Sequence, residues 1–84
     1  MKYIDYTNLG FKRHDMNDNV EYKNTGYYGF ALEKKLKNKQ MICVCSGELD
    51  KPKLYIPHPT SLTYHIIPIT PAIVKSLCEV DKKK

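Results

Sequence analysis

Cys43 and Cys45 are separated by one residue, and they are the side chains best spaced to do chemistry. On a β-strand, positions i and i+2 project to the same side, so both thiols can face one ion. A tetrahedral zinc site takes four ligands, usually as two C-x₂₋₄-C pairs. The remaining donors are Cys78, His58 and His65, and their spacing fits no such pattern. A disulfide between such close strand neighbours is strained. The cysteines therefore read as small buried hydrophobes, with no metal and no cofactor.

Other polar groupings fail in specific ways. Asp15, Asn17 and Asn19 resemble the opening of a calcium loop, but Val20 stands where glycine makes the turn. Gly26 stands where the bidentate glutamate belongs. His14, Asp15 and Asp18 offer an acid–base set on paper, and a cysteine with His58 or His65 offers a nucleophile and base. No glycine-rich oxyanion loop, nucleophile elbow or paired carboxylate set accompanies them. The expectation is a protein without catalytic residues, not an enzyme.

The net charge of +5 suggests nucleic acid until it is mapped. Residues 34–39 hold four lysines, Lys34, Lys35, Lys37 and Lys39, and residues 82–84 hold three more. The segments 1–33 and 40–81 are each net −1. A duplex-binding surface spreads its cations along a face. Arg13 is the single arginine against thirteen lysines, although arginine is the better residue for bidentate phosphate and guanine recognition. Lys, Asn, Ile, Tyr and Phe supply 34 of the 84 residues, the bias of AT-rich codons. That bias points to a low-GC bacterium or a phage. The seven tyrosines, Tyr27 and Tyr55 among them, could stack on bases. Tyrosine is equally suited to the core of a small sheet or to a protein interface.

These side chains need elements to position them. The stretch 27–45 reads as a hairpin of two apolar strands around Asn38-Lys39. With that pair as a two-residue turn, Leu36 opposes Met41 and Leu32 opposes Cys45. Tyr28, Phe30, Leu32 and Leu36 then share a face with Met41, Cys43 and Cys45. The other face, with Tyr27, Ala31, Glu33, Lys35, Ile42 and Val44, is half apolar, so either a helix covers part of it or the register shifts by one. Residues 3–6 alternate as a short strand, 8–10 form a turn, and 14–19 form a polar loop. A brief strand over 20–22 precedes a turn at 24–26. Lys53–Ile56 and Ser61–Ile67 are further strands, the second ended by Pro68. Thr70-Pro71 opens a helix over about 71–80, with Ile73, Leu77 and Val80 along its buried stripe and Val74 and Cys78 flanking.

The expected fold is α+β, one domain over 1–81. A small antiparallel sheet of four or five short strands carries a C-terminal helix on one face, and 82–84 form a basic, disordered tail. The longest apolar runs are too short for a membrane span, and the first residues lack the apolar stretch of a secretory signal. A cytoplasmic setting with reduced thiols is expected. The function expected is a non-enzymatic protein-binding module, an accessory, inhibitor or assembly factor. Its partner is another protein or a second copy of the chain, met through a sheet edge. Lys34, Lys35, Lys37, Lys39, Tyr27 and Tyr55 are the binding candidates. The alternative is a nucleic-acid-associated protein that uses the Lys34–Lys39 tip and exposed tyrosines.

Overall fold

The computed structural model describes residues 1–15 and 29–83. Among the described residues, a five-stranded antiparallel sheet, in the order β1-β2-β3-β4-β5, carries two helices. The elements are α1 (Tyr3–Asn8), β1 (Lys12–Asp15), β2 (Phe30–Lys35), β3 (Met41–Cys45), β4 (Lys53–Pro57), β5 (Tyr64–Pro68) and α2 (Pro71–Lys82). The α+β class and the C-terminal helix match the expectation. The strand expected over 20–22, the turn at 24–26 and Tyr27 lie outside the described residues. No helix among the described residues is long and apolar enough to cross a membrane.

Residues 3–6 form a helix, not a strand. The Lys2 N–H donates to the Asp5 carboxylate at 2.8 Å and closes the first turn. The exit is a Schellman arrangement: Gly10 N–H donates to the Thr7 carbonyl and Phe11 N–H to the Tyr6 carbonyl. Gly10 sits at φ +94°, where its lack of a Cβ is needed. The Tyr6 and Phe11 rings meet edge to face at 5.1 Å. The fully buried Tyr6 donates its hydroxyl proton to the Leu49 carbonyl.

His14 and Asp15 belong to strand β1 rather than to a loop. Nothing in Lys12-Arg13-His14-Asp15 favours a strand, and pairing to β2 imposes it. Arg13 bonds Asp15 at 2.8 Å and lies 4.1 Å over the Phe30 ring, which Tyr3 also meets edge-on.

The central hairpin forms one residue away from the expected register. Leu32 pairs with Val44 and Lys35 with Met41. Lys39 N–H donates to the Leu36 carbonyl, and Leu36 N–H donates to the Gln40 carbonyl at 2.8 Å. The loop therefore has three residues, Lys37, Asn38 and Lys39, with Lys39 at φ +71°. Asn38 instead accepts the Gln40 N–H through its side chain.

That one-residue shift moves every β3 side chain to the other face relative to β2. Phe30, Leu32, Lys34, Leu36, Ile42 and Val44 now face the helices. The core joins Tyr6, Phe11, Leu32, Leu36, Ile42, Val44, Val74 and Cys78. Each fully buried large side chain contributes roughly 1.5–3 kcal/mol, as an upper estimate. On α2, Ile73 N–H donates to Thr70 Oγ1 at 3.3 Å as expected of the cap. The buried stripe, however, is Val74 and Cys78. Ile73 is 44% and Val80 55% exposed, and Leu77 is half-buried. The helix also continues to Lys82.

Candidate functional site

Both helices pack on the same side of the sheet, and the described residues span 40 × 35 × 18 Å. A sheet and one helical layer account for a thickness of that order. Among the described residues, the opposite face, called the open face below, carries neither helix.

The ladder registers order the open face into rows. One row runs Lys12, Glu33, Cys43, Lys53 and Pro68. The next runs Lys35, Met41, Tyr55 and Ile66. Charge thus dominates toward β1, and apolar surface dominates toward β5. Tyr64 extends that apolar end, with its ring edge-on to Tyr55 at 5.9 Å. Tyr64 is 52% and Ile66 49% exposed although both lie within a regular strand.

Among the described residues, β1 and β5 form the two sheet edges, and they differ sharply. At β1 the edge residues are charged or titratable, a common device against unwanted strand pairing. At β5 the sequence is Tyr-His-Ile-Ile-Pro. His58 N–H donates to the Thr63 carbonyl, and Ile69 N–H donates to the Pro52 carbonyl. These bonds bracket the β4–β5 ladder and set its alternation. His65 and Ile67 therefore turn their backbone groups toward β4. Tyr64 and Ile66 turn theirs outward, along with the carbonyl of Pro68.

The lysines named from sequence do not form one knuckle. Lys34 lies on the helix-covered face, where its ammonium donates to the Leu9 carbonyl at the end of α1. Lys35 projects on the open face. The Lys37 N–H donates to Asp81 of α2 at 2.8 Å, and Lys39 occupies the left-handed turn position. Lys34, Lys35 and Lys37 do border one cleft of about 540 Å³, together with Lys12, Glu33 and Asp81. The two carboxylates offset part of its positive field. Tyr55 stands on the open face within the apolar row.

The thiols are split by the sheet. Cys43 and Cys45 belong to the open face, and Cys78 lies buried under the other. Burial pushes the Cys43 thiol up to about 12; Glu33 and Cys45 add to the shift and Lys53 opposes it. Among the described residues no three histidine, cysteine or acidic side chains are grouped to hold a metal.

Tyr64 and Ile66 were not singled out from the sequence. Their β-former-rich run was legible, but its place at the sheet edge depends on strand order. Comparison with protein-family models, curated proteins and solved structures finds no match.

Proposed function

We propose that this chain is a non-enzymatic protein-binding module whose working surface is the β5 edge with the adjoining apolar part of the open face. One observation carries the reading. Tyr64 and Ile66 combine half-exposed apolar side chains with outward backbone donors and acceptors. A partner strand laid along β5 would take main-chain hydrogen bonds from those groups and side-chain contacts from Tyr64, Ile66, Tyr55 and Met41. The opposite edge at β1 is charged, which directs pairing to β5.

The codon-biased composition supports a phage or low-GC bacterial origin, and the free thiols suit a reducing cytoplasm. An accessory, inhibitor or assembly role is the kind such a binding edge would serve. The nucleic-acid alternative draws on the lysines of 34–39. It has less support, since they are divided between the two faces and Lys34 is engaged with Leu9.

Affinity capture from host lysate, with and without nuclease, tests the reading against an Ile66→Pro variant. The Ile66 N–H points away from β4, so proline there removes an outward donor and no ladder bond. The expected result is a nuclease-resistant protein partner retained by the natural chain and lost from Ile66→Pro. Capture that ignores Ile66→Pro, or that vanishes with nuclease, would count against it.

A further inference from the structure

We infer that the strand added to β5 is β5 of a second copy, antiparallel, with the two-fold axis passing through His65. The inference rests on the strand-adding role proposed for this edge. Backbone self-complementarity carries it. With the axis at His65, Tyr64 faces Ile66 of the second copy, and the two exchange both N–H···O bonds. The symmetric pair does the same, so every outward donor on either β5 is used. Pro68 falls beyond that ladder, opposite Leu62 of the second copy. An axis at Ile66 would instead place Tyr64 opposite Pro68, leaving the Tyr64 carbonyl without a donor. An axis at Tyr64 would set Ile66 against Leu62, which lies in the bend before the strand.

The side chains agree with the backbone. Tyr64 against Ile66 of the second copy is an aromatic–β-branched cross-strand pair, formed twice on the open face. Tyr55 backs each pair through its edge contact with Tyr64. Leu62, fully exposed at 102%, gains an apolar neighbour in Pro68 of the second copy. The axis stands normal to the sheet, so both copies keep their helices on one side and their open faces on the other. A single short edge falls below the roughly 1,200–2,000 Å² of stable interfaces. The dimer therefore forms and dissociates with concentration.

Sedimentation equilibrium on the full chain, from micromolar to millimolar, reads the association. The mass should rise from monomer toward dimer, and Ile66→Pro should remain monomeric throughout with an unchanged circular dichroism spectrum. Should proline there disturb the strand, Ile66→Lys keeps the N–H, crowds the axis with charge and should also remain monomeric. Register is read with His65→Cys under oxidised glutathione. Residues on the axis form the close, non-hydrogen-bonded pair, with Cα atoms about 4.5 Å apart, within disulfide range. A covalent dimer is expected from His65→Cys and not from Ile66→Cys or the natural chain. Three results would overturn the inference: a monomer at millimolar concentration, a dimer that survives both Ile66 variants, or cross-linking through Ile66→Cys instead. A monomer whose edge still captures a different protein would overturn the second copy alone and leave the strand-adding role standing.

Discussion

Helix α2 meets the sheet through Val74 and Cys78, and a matched pair of substitutions measures that orientation. Val74 is fully buried, whereas Ile73 is 44% exposed. Val74→Ala removes two carbons from the core, about 1.6 kcal/mol at ~0.8 kcal/mol per CH₂, and the unfilled space adds up to about 1 kcal/mol. Alanine's better helix propensity returns up to about 0.5 kcal/mol. The expected net loss is about 2 kcal/mol. Ile73→Ala removes more carbons, but these are already partly wet, so its loss should be at most about 1 kcal/mol after the same propensity gain. For a domain of this size, ~1 kcal/mol corresponds to about 4–8 °C in melting temperature. Urea unfolding followed by circular dichroism, checked by thermal melts, reads both variants. An Ile73→Ala loss exceeding that of Val74→Ala would place the helix on its Ile73–Leu77–Val80 stripe and refute the packing described.

Three further outcomes follow from single features. Lys39 adopts φ +71°, so Lys39→Gly should raise stability by roughly 0.5–1 kcal/mol in denaturant midpoints, the left-handed strain outweighing glycine's entropy. The Cys43 thiol titrates near 12 when folded and near ~8.5 when unfolded. Its stabilising contribution is therefore complete below the unfolded value and disappears as pH rises toward the folded one; Cys43→Ala should flatten the alkaline fall in stability measured by urea titration. Binding to any DNA or RNA should be weak and should vanish near ~0.15 M salt. Sub-micromolar binding under that condition, abolished by charge reversal at Lys35 and Lys37, would promote the nucleic-acid reading.

The parts of the fold legible in the sequence were those with strong local signals. Thr70-Pro71 marks the start of α2, the period-two alternation of Phe30 and Leu32 marks β2, and the β-formers within 41–45, 53–56 and 61–67 mark the later strands. The errors share one cause, which is that short segments take their form from neighbours. Tyr3-Ile4-Asp5-Tyr6 alternates like a strand, but four residues cannot separate period two from a helical i, i+3 pair. The amide-to-carboxylate closure at Asp5 and the buried Tyr6 decide for helix. Lys12–Asp15 has no strand signal of its own and exists through β2. The hairpin register turned on which residue accepted positive φ. Asparagine is the usual choice, yet Lys39 took it, and the extra loop residue moved Ile42 and Val44 into the core. The candidate site depended on strand order, which no local pattern encodes. Tyr55 was visible as a surface aromatic, whereas Tyr64 and Ile66 became a site only when β5 proved to be an edge.

Amide hydrogen exchange along β5 tests the central claim most directly. In dilute solution Tyr64 and Ile66 amides should exchange freely, while those of His65 and Ile67, turned toward β4, should be protected. Adding unlabelled chain to millimolar concentration should bring protection to Tyr64 and Ile66, as should adding a partner recovered by lysate capture. Protection that appears at β1 or the lysine turn, with Tyr64 and Ile66 unchanged, would contradict the assignment of β5 as the working edge.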